Sequence, residues 1–92
     1  MKPLQTLKAD LLASPAVRIE HDALAAGFEL ARELIAARAR AGLTQAQLAQ
    51  RMGTTQSAVA RIEGGRRAPS MRTVQRFASA TGTRAVVRLE PQ

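Results

Sequence analysis

A crowded set of helix-start and turn signals in the middle of the chain restricts its fold more than any other feature. Thr44 stands where an N-cap is expected and Gln47 follows three positions later, which is the pattern of a capping box. Gly53 closes this short helical segment, and glycine adopts the positive φ of a tight turn at little cost. Thr55 then stands as the cap of a second short helix that reaches Glu63. The sequence therefore predicts two short helices joined by a sharp turn.

The residues around this turn meet the steric requirements of two helices that pack at about 90–120°, the geometry of a helix-turn-helix. Ala49 is small enough to let the second helix approach closely, and Gly53 supplies the turn. Four apolar residues recur at positions suited to a shared core: Leu48, Met52, Val59 and Ile62. The pattern predicts a helix-turn-helix, and the alternative is an ordinary helical hairpin.

Helical signals also flank the two short helices. Residues 4–13 predict a short amphipathic helix, and Pro15 opens another helix in which we expect a bend at Gly27. Beyond the turn region, Ser70 has the position of a cap for a further helix. The helix after Pro15 carries a stripe at steps of three and four residues that ends on an arginine: Leu24, Phe28, Ala31, Ile35 and Arg38.

The last predicted element is a strand over residues 84–90, which contains the β-favouring residues Val86, Val87 and Leu89. Because an isolated strand leaves backbone groups unpaired, we expect these three residues to form a homodimer contact. A chain of 92 residues makes about one small domain. We expect an all-α fold of five or six helices with a short C-terminal β-strand. Its parts are an N-terminal helical extension (1–27), a central domain (28–82) and the strand segment (83–92).

Composition excludes several classes of function. With no cysteine and one histidine, His21, the chain has no disulfide and no credible metal site. It carries no paired-carboxylate, Ser/His/Asp or phosphate-loop pattern, so we expect neither an enzyme nor a cofactor nor a small-molecule substrate. Two phenylalanines are too few to stack unpaired bases, which favours duplex nucleic acid. No stretch approaches the roughly 20 apolar residues of a membrane span, and no secretory leader opens the chain, so we expect a cytoplasmic protein.

Positive charge is concentrated in the second part of the chain. Residues 1–35 carry four basic and five acidic side chains, whereas residues 36–92 carry ten arginines against Glu63 and Glu90. The whole chain has a formal net charge of +7. The basic part therefore requires an anionic partner, and the asymmetry suggests that the two parts have different partners.

The run from Thr44 to Ser57, continued by Glu63-Gly64-Gly65, resembles the DNA-binding domain of phage repressor/Cro-type regulators of the Xre family. The flanks are similar to HigA-type antitoxins at residues 11–15, 28–32 and 86–89. This resemblance implies a phage-repressor-like helix-turn-helix fold, a dimer on a double-stranded DNA operator, and repression of its own operon. The antitoxin likeness also implies neutralisation of a RelE/HigB-like ribonuclease toxin. The alternatives are a stand-alone Xre-type repressor without a toxin and an RNA- or ribosome-associated helix-turn-helix factor.

The resemblance assigns roles to polar residues of the two short helices. In the family, the first residues of the second helix enter the major groove and read bases. The candidate base readers here are Gln56, Ser57 and Arg61, and the candidate phosphate contacts are Gln45, Thr55, Arg66 and Arg67. The alternative for these polar residues is a solvated surface without a ligand.

The resemblance also explains the arginine that ends the apolar stripe. The family pairs the position of Arg38 with the position that Glu63 occupies, which predicts a structural ion pair. If this pair is buried, the fold depends on it; an exposed pair would matter little.

The N-terminal region provides candidate contacts to a toxin. A leucine stripe outside the repressor-like core lies close to Asp10, Glu20 and Asp22: Leu4, Leu7, Leu11 and Leu12. An amphipathic helix can place such a stripe in a partner's groove, and nearby carboxylates attract a basic protein. The alternative is that these leucines pack back on the chain's own residues 24–30.

Overall fold

The computed structural model describes residues 14–92, apart from the side chain of Glu20, and this part of the chain is helical. Its four helices are α1 (Pro15–Arg40), α2 (Gln45–Met52), α3 (Gln56–Glu63) and α4 (Met71–Ala80). The predicted helix over residues 4–13 lies outside the described residues. The helix that opens at Pro15 continues through Gly27 to Arg40 without a break. Residues 14–92 contain these four helices, so the expected five or six are not found among the described residues.

The turn between α2 and α3 forms as its local signals predict. The hydroxyl of Thr44 accepts a hydrogen bond from the Gln47 backbone N–H at 3.1 Å, and the Gln47 side chain accepts one from the Thr44 N–H at 2.9 Å. Gly53 ends α2 in the left-handed region with φ 67°. Thr55 caps α3 by accepting from the Ala58 N–H at 3.1 Å. These contacts confirm the predicted capping box and glycine turn, and they set the angle between α2 and α3.

Gly27 serves a close contact between α1 and the loop that follows α3. A Cβ atom on Gly27 would lie 2.8 Å from the backbone oxygen of Gly65. Gly65 itself has φ 75°, and a Cβ there would lie 2.7 Å from the ring of Phe28. Both positions are buried. The two glycines therefore let the backbones of α1 and the loop meet where no larger residue fits.

This contact sets the rotation of α1 and changes which of its residues face the core. Ala31 is buried as the stripe predicts, but Leu24, Phe28 and Ile35 are exposed. Their place is taken by Leu34, which joins the buried core. The core comprises Leu34, Leu48, Ala49, Met52, Val59, Val74 and Phe77. The predicted stripe therefore marks an edge of α1 and not its buried face.

The C-terminal segment does not form the predicted strand. Residues 83–92 contain neither helix nor strand. A strand needs a second backbone to pair with, and residues 14–92 contain no other strand. Ala85 packs against the core, whereas Val86, Val87 and Leu89 are exposed. Within residues 14–92, no helix has both the length and the apolar character needed to cross a membrane.

A largely buried ion pair joins α1 to the end of α3. Arg38 Nε donates to Glu63 Oε2 at 2.7 Å and its Nη2 donates to Glu63 Oε1 at 3.0 Å, while Nη1 donates to the Leu43 carbonyl at 3.0 Å. The Glu63 side chain is 4% exposed and that of Arg38 is 19% exposed. Hydrogen bonding to Glu63 and its negative charge raise the pKa of Arg38, against an opposing effect of burial. The pair therefore remains bidentate, with Arg38 charged.

Replacing either Arg38 or Glu63 by alanine leaves the other charge without its partner in this site. We expect each variant to lose about 3 kcal/mol of unfolding free energy. Because both single changes remove the same contact, the double variant is expected to lose far less than the sum of the two. Urea unfolding of the four proteins measures this coupling.

Arg88 and Glu90 provide a matched control in the same chain. Their side chains also pair, with Arg88 Nη2 2.6 Å from Glu90 Oε1, but they are 80% and 67% exposed. An exposed pair of this kind is worth about 0–1 kcal/mol, so Arg88→Ala is expected to unfold almost like the parent. A coupling near zero between Arg38 and Glu63 would contradict the structural role of the buried pair.

Candidate nucleic-acid interface

The second helix of the turn, α3, presents a polar face to solvent. Its inner side is taken by Val59, which is fully buried, and by the buried carboxylate Glu63. The three predicted base readers are all exposed: Gln56, Ser57 and Arg61. Ser57 and Arg61 are four residues apart and lie side by side opposite Val59, whereas Gln56 is the first residue of the helix. We call the exposed surface that these three residues form the α3 face.

Close packing of α2 holds this face in position. Ala49 is buried beside Leu48 and Met52, so α3 approaches α2 at a residue that has only a methyl side chain. The cap at Thr55 fixes the start of α3, and the ion pair with Arg38 fixes its end. A helix of eight residues is only marginally stable when isolated in water, so α3 depends on these contacts for its stability and its orientation.

Gln45 has a role that the sequence reasoning missed. Its side-chain Nε2 donates to Glu63 Oε1 at 3.1 Å, so the first residue of α2 joins the ion pair with Arg38. The amide carries two N–H groups, and this contact uses one of them. Gln45 is half-buried and is thus a structural residue as well as a candidate phosphate contact. Because 18 residues separate Gln45 from Glu63 in the sequence, no local pattern predicts this contact.

The other candidate phosphate contacts lie at the two ends of α3. Thr55 is exposed, and its hydroxyl oxygen serves as the helix cap. Arg66 and Arg67 are exposed in the loop between α3 and α4. This loop follows the close contact between Gly27 and Gly65, which ties it to α1. The two arginines therefore extend from a fixed loop next to the face of α3.

A cavity of about 300 Å³ separates α3 from α4, and three arginines line it: Arg61, Arg67 and Arg76. No sequence motif predicts a role for Arg76. Arg76 lies on α4 and its guanidinium donates to the Met52 carbonyl, at the end of α2. The sequence separation of Arg76 from the α3 residues does not predict that they lie together, because only the fold brings α4 beside the turn.

Acidic side chains do not offset this positive charge. The acidic residues of segment 36–92 are Glu63 and Glu90, and each is paired with an arginine, Arg38 and Arg88 respectively. The remaining arginines of the segment have no carboxylate partner among the described residues. The α3 face therefore lies in a region of positive charge, as an anion-binding surface requires.

The remaining predicted site residues do not belong to this face. Val86, Val87 and Leu89 lie exposed in the C-terminal segment. The candidate toxin contacts Leu4, Leu7, Leu11 and Leu12 lie outside the described residues.

Comparison with known proteins agrees with this geometry. A family model described as a helix-turn-helix domain matches residues 29–90, which is about two thirds of the chain and contains all of α2, α3 and α4. None of the curated proteins matches the chain, and no solved structure matches it. Helix-turn-helix domains place their second helix in the major groove of DNA, so the match suggests a DNA-binding regulator. On the match over residues 29–90, the chain belongs to the helix-turn-helix domain family.

Proposed function

We propose that the protein is a sequence-specific repressor of the Xre type that binds duplex DNA as a homodimer and represses its own promoter. The observation that carries this proposal is the polar face of α3, where Gln56, Ser57 and Arg61 are exposed together. Family membership supports the DNA-binding part. The proposal contains no catalytic step.

The side chains of the α3 face suit readout of bases in the major groove. An arginine such as Arg61 can bond guanine O6 and N7 in bidentate fashion, and a glutamine such as Gln56 can bond adenine N6 and N7. The hydroxyl of Ser57 can form a hydrogen bond with any of several bases and therefore discriminates little between them. Each good bidentate contact discriminates against the wrong base by about 1–3 kcal/mol. We therefore expect the preferred half-site to place a G·C pair opposite Arg61 and an A·T pair opposite Gln56.

Contacts to the phosphate backbone supply affinity without sequence preference. Arg66 and Arg67 follow α3 and carry the charge for this role. Gln45 contributes its second amide N–H at the start of α2, where the helix dipole also favours an anion. Loss of a base reader is therefore expected to reduce sequence preference, whereas loss of a phosphate contact is expected to weaken binding to all duplexes alike.

Replacing Arg61 by alanine removes a base contact, so we expect a loss of about 1–3 kcal/mol on the preferred site and weaker preference at one base pair per half-site. The site is obtained by selection from a random-sequence duplex library. Binding is then measured on the selected duplex and on a random duplex of equal length.

Arg66→Ala is the matched control, since it removes the same charge from the loop beside α3. We expect it to weaken both duplexes similarly and to reduce the salt slope by about one unit per subunit. If Arg61→Ala lowers binding equally on the selected and the random duplex, the assignment of Arg61 as a base reader is wrong. Competition with RNA of the same sequence tests the alternative of an RNA-binding factor.

The C-terminal segment supports the dimer. Val86 is 75% exposed and Leu89 is 94% exposed, a large apolar exposure for a short segment. Beside it, α1 and α4 border an apolar groove of about 430 Å³ that residues 83–87 also line. A two-fold interface requires a surface that complements itself, and an exposed apolar segment next to an apolar groove meets this requirement. Antiparallel pairing of residues 84–90 between two copies would also satisfy their backbone groups.

Removing residues 86–92 tests this interface and retains Ala85, which packs on the core. We expect the shortened chain to sediment as a monomer at concentrations where the full chain is a dimer. It is expected to bind the selected operator much more weakly, because two linked half-sites are reduced to one. If the shortened chain still sediments as a dimer, the dimer interface lies on another surface.

We propose further that the protein acts as an antitoxin of HigA type against a RelE/HigB-like ribonuclease toxin. The support is the N-terminal half of α1, where Ile19 is 69% exposed and Leu24 is also exposed. The carboxylates of Asp22 and Glu29 are exposed on the same helix. Exposed apolar side chains near carboxylates suit a basic protein partner.

Removing residues 1–25 tests the antitoxin role and leaves the part of α1 that contacts the core, which begins at Gly27. We expect the shortened chain to bind the selected operator almost as well as the full chain. It should no longer rescue cells that express the basic protein encoded by the neighbouring reading frame. Rescue that persists would refute the N-terminal assignment, and the lack of any toxic neighbour would favour the stand-alone repressor.

A further inference from the structure

A second basic surface lies on the flank of the domain, away from the residues assigned to base reading. A cleft of about 440 Å³ separates the end of α2 from α4, and three arginines line it: Arg51, Arg72 and Arg76. Gln75 and Ser79 add polar groups, and no carboxylate lines the cleft. Its chemistry therefore favours an anion.

Two of these arginines are held in place by contacts between the helices. Arg51 Nη1 donates to the Ala80 carbonyl at 3.2 Å, and Arg76 Nη2 donates to the Met52 carbonyl. Both carbonyls lie at helix C-terminal ends, where the helix dipole favours a cation. A guanidinium has five N–H groups, and each of these contacts uses one. Both side chains are exposed, so donors remain for a ligand.

The flank cleft is continuous with the cavity beside α3. Met52 and Arg76 line both of them. Five arginines therefore follow one another from the recognition face to the flank: Arg61, Arg67, Arg76, Arg72 and Arg51. We call this set the arginine track. It begins at Arg61, a proposed base reader, and ends at Arg51 on α2, in the cleft between α2 and α4.

A structural role explains only part of the track. Arg51 and Arg76 cap helix ends, but Arg72 is exposed and donates no hydrogen bond within residues 14–92. Arg72 and Arg76 are neighbours one turn apart on α4, and like charges at this spacing destabilise a helix slightly. A polyanion in contact with both would remove that repulsion, and arginine suits phosphate because it binds two oxygens at once.

We propose that the flank end of the arginine track, formed by Arg76, Arg72 and Arg51, binds the phosphate backbone of the same duplex beyond the base pairs that α3 reads. This inference rests on the proposed DNA-binding function and extends its footprint. Continuity with the α3 face favours the DNA backbone over an acidic protein, since a duplex that lies on α3 carries its phosphates onward past Arg67. The duplex must then curve toward α4, at a cost that the added contacts offset.

The test uses the full chain and two duplexes that carry the selected operator. One duplex ends at the half-sites, and the other extends about ten base pairs, one helical turn, beyond each of them. We expect the parent to bind the long duplex more tightly than the short one. Arg72→Ala is expected to lose about fivefold to tenfold per subunit on the long duplex at 0.1 M salt, with a salt slope lower by about one. On the short duplex it is expected to match the parent.

Arg18→Ala is the matched control, because Arg18 is exposed near the start of α1, off the track, and its loss changes the net charge equally. We expect the same small effect of Arg18→Ala on both duplexes, and Arg72→Lys is expected to keep the salt slope. If Arg72→Ala binds the long duplex as tightly as the parent or as Arg18→Ala does, the proposed role of the track is wrong. A parent that binds no duplex of either length overturns the proposed function itself.

Discussion

The carboxylate of Glu63 is the point at which the three helices around the recognition surface are joined. It accepts hydrogen bonds from Arg38 on α1 and from Gln45 at the start of α2, while it belongs itself to the last turn of α3. A carboxylate at a helix C-terminus is unfavourable on its own, because the helix dipole is negative there. Arg38 offsets this effect, and it also binds the Leu43 carbonyl at the entry to α2. The orientation of α3 therefore depends on a polar network as much as on the apolar core.

The small core explains why such contacts matter. Seven buried residues form the central cluster, of which three are fully buried: Leu48, Val59 and Phe77. A domain of this size buries a smaller fraction of its surface than a larger one, so single polar and backbone contacts carry a larger share of its stability. The contact between Gly27 and Gly65 is one of these backbone contacts, since the backbone of α1 packs directly against the backbone of the loop. The loop that presents Arg66 and Arg67 is thereby fixed without any large side chain.

Sequence reasoning succeeded where the deciding contacts are local. The cap at Thr44, the turn at Gly53 and the cap at Thr55 each depend on residues within a few positions, and all three form as predicted. It failed where the deciding contact joins distant segments. The rotation of α1 follows from Gly27 against Gly65, 38 positions apart, and no periodicity within α1 contains that information. The strand over residues 84–90 failed for a related reason, because strand structure requires a second backbone that residues 14–92 do not supply. The exposed face of α3 was predictable, since it needs only the buried positions of one helix.

The small number of candidate base-reading side chains favours the proposed dimer. Under the proposed function, one subunit offers Gln56 and Arg61 as bidentate readers, which together would discriminate by about 2–6 kcal/mol. Specific DNA-binding proteins exceed their own non-specific binding by about 4–10 kcal/mol. Two subunits double the readers to about 4–12 kcal/mol and bring the protein into that range. The α3 face thus favours the proposed dimer, as does the exposed C-terminal segment. Since an eight-residue helix has room for few readers, the proposed pairing would double the number of base contacts that so small a domain can use to select one site.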